Sequence, residues 1–192
     1  MSLQPVLVHQ LFGVLVLAFA GLLLARETGL LRGRWTDYLP ASALLLGGGL
    51  LFADPWLFHG GDFGSEGRQH TWQGATVVVA GALEWARVKR YPARWELLLV
   101  VPLVLAGLGL GFLRHQQHAS GDMLLQSVQH RVMGATLLIT ALVKLAANLR
   151  WRDGQWARAG WALILVVFAW QLILYAETGD HAGHRAGGSV VE

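Results

Sequence analysis

The side chains with the clearest chemical potential in this sequence are its eight histidines. Neutral imidazole is the commonest metal-ligand side chain in proteins. Three of them, His9, His70 and His130, begin apolar segments and are 61 and 60 residues apart. Each is followed four residues later by a glycine, which lies on the same face of a helix and lets a neighbouring helix approach closely. This spacing predicts that the three imidazoles meet at one level of a helical bundle.

The remaining candidate ligands lie in the polar segments at the same end of the apolar segments. His115 and His118 form an i,i+3 pair, which can hold one ion if the segment is helical. Met133 follows His130 by three residues; its thioether would select Cu(I), while imidazole suits copper and zinc. The residues therefore predict a metal site, with copper as the expected ion and zinc as an alternative, built from His9, His70, His130, His115, His118 and Met133.

Two other interpretations of the histidines stay open. Two of His9, His70 and His130 could ligate haem b axially in an electron-transfer subunit, although no histidine lies at the opposite end, where a second haem would sit. Alternatively, the histidines only cap and bridge helix ends in an accessory subunit of a larger membrane complex. No nucleophile elbow, phosphate-binding loop or Ser/His/Asp arrangement indicates an enzyme.

The elements that must position these side chains are long apolar segments. The chain is 54% hydrophobic and 14% charged, against about a quarter charged in soluble domains. A membrane span needs ~20 mainly apolar residues. Six segments come close to this, at 5–25, 39–58, 71–88, 95–113, 123–147 and 159–176. The sequence therefore predicts an all-α integral membrane protein with six transmembrane helices and one transmembrane domain over 1–192.

The basic residues predict the orientation. Most of them lie in the connectors after the first, third and fifth segments, namely Arg26, Arg32, Arg34, Arg87, Lys89, Arg90, Arg94, Lys144, Arg150, Arg152 and Arg158. By the positive-inside rule these connectors are cytoplasmic, so both termini and all eight histidines face outward, as in a bacterial inner-membrane protein. Glu84 at the inner end is expected to pair with Arg87 or Lys89. The basicity reflects orientation, so the expected partners are the lipid bilayer and other membrane or periplasmic proteins, and not nucleic acid.

The histidine spacing also predicts an internal repeat. A Trp near an Arg and a Gly-Asp pair recur in step with the three histidines. Self-similarity at a fixed period indicates repeated structural units. We expect three helical hairpins, at about 1–69, 70–129 and 130–180, followed by a short polar tail at 181–192.

The stretch 54–147, about half of the chain, resembles bacterial copper-resistance membrane proteins of the CopD type. The resemblance is carried by Ala53-Asp54-Pro55-Trp56, Gln69-His70, Leu83-Glu84-Trp85, Leu113-Arg114-His115-Gln-Gln-His118 and Val128-Gln129-His130. It implies copper transport or periplasmic copper handling through His70, His115, His118 and His130. This chain departs from the family in its HxxH connector, where the family has HxH, and in Arg131-Val132, where the family has Thr-Pro.

Overall fold

The computed structural model of the chain describes residues 5–58, 61, 64–89, 95–114, 123–149 and 155–175, and the described residues form helices and turns without a strand. Short 3-10 helices at Arg34–Tyr38 and Trp95–Leu99 lead into the second and fourth α-helices. The six α-helices are α1 (Pro5–Glu27), α2 (Leu39–Leu57), α3 (Ser65–Val88), α4 (Val100–Arg114), α5 (Met123–Asn148) and α6 (Gln155–Ile173). The prediction of an all-helical chain is confirmed.

Four helical segments are long and apolar enough to cross a membrane. They are Val6–Glu27, Arg34–Leu57, Glu96–Arg114 and Leu124–Asn148. The apolar part of α6 is shorter, and α3 has the length but carries polar residues through its first three turns, including His70. The chain is therefore compatible with a membrane protein, and the helix with the most polar residues is one that carries a candidate ligand.

The connection from α1 to α2 depends on two glycines with positive φ. Gly29 has a φ of 80° and Gly33 has a φ of 130°, backbone angles that residues other than glycine rarely adopt. The hydroxyl of Thr36 then donates a hydrogen bond of 2.7 Å to the carbonyl oxygen of Gly33 and fixes the start of the 3-10 helix. Pro40 stands in the first turn of α2, where its missing N–H leaves no intrahelical bond unmade. The chain therefore reverses direction within a short connector.

The six helices form a closed ring. Each packs against its neighbours in the sequence, and α6 packs against α1 to close the ring. The most extensive contacts join α2 to α3, α4 to α5 and α6 to α1. Each of these pairs joins the second helix of one predicted hairpin to the first helix of the next. The most closely packed helix pairs are therefore different from the predicted hairpins.

The glycines that follow the three histidines lie at the closest of these contacts. A Cβ on Gly13 of α1 would lie 2.7 Å from the side chain of Ile173 in α6. A Cβ on Gly134 of α5 would lie 2.7 Å from the carbonyl oxygen of Gly109 in α4, and one on Gly74 of α3 would collide with the backbone of α2. Small residues are thus required where each odd-numbered helix crosses the helix before it in the ring.

The partner positions on the even-numbered helices repeat at the same period. Each glycine faces a small residue and, one turn later, a large apolar one; these pairs are Gly48 and Phe52, Gly109 and Leu113, and Ala169 and Ile173. They are separated by the same 61 and 60 residues as the histidines. The period of the sequence is therefore also a period of the helix contacts.

Candidate histidine site and central cavity

The ring of helices encloses a cavity of about 260 Å³ to which all six helices contribute. Most of its wall is apolar, with phenylalanines at 12, 19, 112 and 168. The polar side chains on its wall are His9, Asp54, Gln69, His70, Gln73 and His130. The three histidines of the predicted inner cluster therefore line one cavity, each from the first turns of an odd-numbered helix.

His9 and His130 lie next to each other. Their ring centroids are 6.2 Å apart and the rings are nearly perpendicular, at 85°. Tyr175 stacks on His9 at 4.0 Å and lies edge-on to His130 at 5.6 Å. Phe112 also lies near His130, with ring centroids 5.7 Å apart. Aromatic rings therefore contact both histidines of the pair.

The tautomer of His130 follows from its hydrogen bond. Its Nδ1 lies 2.8 Å from the backbone carbonyl oxygen of Gln126, one turn earlier in α5. A carbonyl oxygen can only accept, so Nδ1 carries the proton and Nε2 carries the lone pair of the neutral ring. Histidines that ligate metals commonly donate the other ring N–H in this way, which fixes the ring and raises its basicity. The side chain is 4% exposed, so the ring is held inside the bundle.

His70 is oriented by a carboxylate. Its Nδ1 lies 2.8 Å from Oδ2 of Asp54, a residue of α2 that is 1% exposed. A carboxylate accepts this bond, so Nδ1 is again protonated, and in the neutral ring Nε2 carries the lone pair. Among the described residues, the imidazole ring of His70 makes no other hydrogen bond. The ring is therefore fixed at one nitrogen, and the other is the one that a molecule in the cavity can meet.

The geometry of the His9 and His130 pair fits a shared ion at its upper limit. With metal–nitrogen bonds of about 2.0 Å and a ring radius of ~1.1 Å, one ion joining two imidazoles sets their centroids at most ~6.2 Å apart, a limit that is reached when both nitrogens point straight at the ion. In the described part of the chain, no group of three or more histidine, cysteine, aspartate or glutamate side chains is close enough to hold a metal ion. The structure thus places His9 and His130 next to each other, and it places His70 on the wall of the same cavity with its Nδ1 bound to Asp54.

The other predicted ligands are placed differently. Met133 is 1% exposed and belongs to the apolar core formed by α4, α5 and α6, and it does not line the cavity. His115 and His118 lie outside the described residues, as do His59, His181 and His184. A ligand role for these residues stays a prediction.

Tyr175 and Asp54 are the site residues that the sequence analysis missed as partners of the histidines. They are 121 residues apart, which is two periods of the repeat, and each contacts the histidine of the next helix in the ring. One period after Asp54 stands His115, outside the described residues. Extending the repeat from the glycines to the ends of the even-numbered helices would have found both residues.

Haem ligation by His9 and His130 conflicts with the position of Tyr175. The three ring separations place the centre of the Tyr175 ring about 4 Å from the midpoint between the two imidazoles. A porphyrin bound there would extend through the same space. Haem ligation by this pair would therefore require the Tyr175 ring to move.

The end of the bundle opposite the histidines holds paired charges. Glu84 is 3% exposed and accepts two hydrogen bonds from Arg87, at 2.7 Å and 2.6 Å, which confirms the predicted pairing. Arg26 binds Asp37 at 2.9 Å, and Lys144 lies 4.3 Å over the ring of Trp161. These groups lie toward the ends of the odd-numbered helices opposite the histidines. They therefore have no part in the site.

The chain matches no protein-family model, and neither the curated proteins nor the solved structures include a significant match. The resemblance to CopD-type proteins accordingly stays a prediction from the motifs.

Proposed function

We propose that this protein binds a metal ion, copper, on the outer side of the bacterial inner membrane. Six helices would span the membrane as three repeated hairpins, with both termini outside. His9 and His130 would supply imidazole ligands at the edge of the central cavity. Receipt of the ion from a second membrane or periplasmic protein, or its delivery to one, belongs to the same proposal, and no catalytic step is assigned.

The observation that carries this proposal is the His9 and His130 pair. Their centroids are 6.2 Å apart, which is the reach of two imidazoles sharing one ion. The Gln126 carbonyl oxygen holds the proton of His130 on Nδ1, so the lone pair that a metal needs lies on Nε2. Since imidazole suits copper and zinc, the copper assignment also draws on the resemblance in the motifs.

The membrane placement is supported by packing and charge. Four helical segments have the length and composition to cross, and α3 and α6 pack extensively along α2 and α1 in a single ring. A bundle that inserts four members of this ring would carry the other two across as well. The last turns of α1 and α3 hold Arg26 and Arg87, at the ends opposite His9 and His70. The positive-inside rule therefore favours an outer location for the histidines.

Copper binding to the purified protein tests this proposal. We expect one Cu(I) per chain, and at least a hundredfold weaker binding in the His9→Ala/His130→Ala double variant. Trp72→Leu changes an exposed residue of α3 and should bind copper as tightly as the unchanged protein. An absorption spectrum recorded on the same samples tests the haem alternative.

Two results would contradict the proposal. One is copper binding that the double variant leaves unaltered, because the ligands would then lie elsewhere. The other is a Soret band in the protein as purified that disappears in the double variant, which would assign the two histidines to haem.

A further inference from the structure

The central cavity has features that a metal ion does not use. Its volume of about 260 Å³ greatly exceeds that of an ion, and most of its wall is apolar. Ligand sites in proteins are typically mostly apolar, with a few polar groups that fix orientation. In this cavity those groups are six residues, and the Asp54 and His70 pair is one that the proposed ion site leaves unused.

His70 determines what kind of molecule the cavity can bind. Asp54 holds the proton on Nδ1, so Nε2 of the neutral ring is an acceptor. A ligand that meets this nitrogen must therefore donate a hydrogen bond, as a hydroxyl group does. A carbonyl oxygen, which only accepts, would leave the lone pair of a partly buried nitrogen unmatched.

The cavity wall beside His130 is aromatic. Phe112 and Phe168 meet edge to face, with ring centroids 6.0 Å apart at 78°. Phe112 also lies 5.7 Å from His130, and Phe12 lines the same cavity from α1. Offset and edge-to-face contacts between rings add to the gain from apolar burial. A ligand in this cavity that contains a flat ring can therefore pack against these aromatic side chains.

We infer that the cavity binds an amphipathic hydroquinone, with a ring hydroxyl donating a hydrogen bond to Nε2 of His70 and the apolar part of the molecule filling the cavity. A lipid alcohol such as diacylglycerol also has a hydroxyl group that can donate this hydrogen bond. The aromatic wall of the cavity favours the hydroquinone over such a lipid. This site uses His70 and Asp54, whereas the proposed ion site uses His9 and His130. Either assignment can therefore fail without the other.

The test compares two ligands that differ in their hydroxyl groups. Decyl-benzohydroquinone and its dimethyl ether have the same ring and tail, but the ether cannot donate a hydrogen bond. Calorimetric titration of the detergent-purified protein, without oxygen and with a chelator to remove metal, gives both dissociation constants. We expect the hydroquinone to bind at least tenfold more tightly than the ether.

Three variants localise the effect. His70→Leu removes the acceptor and should bring the two affinities within twofold of each other. Trp72→Leu, at an exposed position of the same helix, should keep the tenfold preference. Leu108→Trp fills the cavity from α4 and should weaken the binding of both ligands at least tenfold.

Several outcomes would overturn the inference. Equal affinities for the two ligands in the unchanged protein would mean that no acceptor in the cavity binds the hydroxyl group. This comparison does not depend on the folding of any variant. A tenfold preference retained by His70→Leu would assign the hydroxyl to another residue. Tighter binding of dioleoylglycerol than of the hydroquinone would assign the cavity to a lipid alcohol.

Discussion

At the scale of single residues, the site depends on which nitrogen of each imidazole carries the proton. A neutral imidazole has one donor and one acceptor, and a buried one must satisfy both or lose stability. His130 donates to a backbone carbonyl oxygen and His70 to a carboxylate. The two rings therefore present the same atom, Nε2, although their partners differ in charge. We propose a metal ion as the partner of this atom in His130 and a hydroxyl donor as its partner in His70.

Tyr175 provides a residue-scale prediction. Its ring stacks on His9 at 4.0 Å and is 2% exposed, so it holds the His9 ring in place. Tyr175→Ala should weaken Cu(I) binding at least tenfold and lower the free energy of unfolding by about 3–5 kcal/mol, the usual cost of removing a buried aromatic ring. Tyr175→Phe keeps the ring and should change the copper affinity by less than threefold. Competition titration with a Cu(I) chelator and detergent-induced unfolding measure the two effects.

The control for this prediction is a second aromatic truncation away from the histidines. Trp161→Ala removes a buried ring at the other end of the bundle, and it should destabilise the protein without a tenfold loss of copper affinity. Copper binding that is unchanged in Tyr175→Ala would show that Tyr175 does not position His9.

The residue types of the site could be predicted from the sequence, but their pairing could not. The spacing of His9, His70 and His130 placed them at one end of three helices, and all three line one cavity. His9 and His130 lie ring to ring, whereas Nδ1 of His70 lies 2.8 Å from Asp54, a residue near the end of the apolar segment 39–58. In the sequence alone, an aspartate followed by a proline indicates the end of a helix. Only the packing of α2 on α3 makes it a partner of His70.

At the scale of helices, the three glycines control how closely each odd-numbered helix approaches the one before it. Gly74→Ala should lower the free energy of unfolding by about 1–3 kcal/mol, because the added methyl group meets the backbone of α2, which cannot rotate away. Gly13→Ala and Gly134→Ala should have effects of the same sign. Detergent-induced unfolding followed by far-UV circular dichroism provides the measurement.

Gly21 of α1 is the matched control for these substitutions. A Cβ at this position meets nothing within 4 Å, so Gly21→Ala should be neutral or raise stability by up to about 1 kcal/mol through its better helix propensity. Equal destabilisation by Gly21→Ala and Gly74→Ala would mean that the close contacts seen here do not determine the stability of the pairs.

The apolar segments of the sequence predicted the presence of the helices better than they predicted the residues at which the helices begin. The segment expected at 71–88 belongs to a helix that starts at Ser65, because a helix continues through polar residues as long as its backbone bonds are made. The segment expected at 95–113 divides into a 3-10 helix and α4, with Pro102 in the first turn of α4. Proline is tolerated there and would break the helix further on. Hydropathy records burial in an apolar medium and carries neither of these signals.

At the scale of the whole molecule, the six helices close a ring that the sequence alone did not predict. In a chain of repeated hairpins, each helix can pack mainly against its partner in the same hairpin or mainly against a helix of the next hairpin. The apolar faces that decide between these arrangements look alike in the sequence. The observed arrangement depends on the small residues Gly48, Gly109 and Ala169, which allow a helix of the neighbouring hairpin to pack closely against them. With α6 packed on α1, the ring closes and its centre stays open as a cavity.

The proposed orientation gives a prediction at this scale. The chain contains no cysteine, so single cysteines can be labelled without background. Ser2→Cys should react with a membrane-impermeant maleimide in intact cells, because the positive-inside rule places the N-terminus outside. Arg32→Cys, in the connector after α1, should react only after the membrane is permeabilised. The reverse pattern would contradict the outward orientation of the histidines.

X-ray absorption spectroscopy of the copper-loaded protein tests the proposed ion site most directly. Two imidazoles that share the ion predict nitrogen scatterers at about 2.0 Å, with the outer-shell pattern of histidine rings, and loss of that pattern in His9→Ala/His130→Ala. A copper spectrum without imidazole scattering, or the same spectrum in the double variant, would contradict the site proposed here.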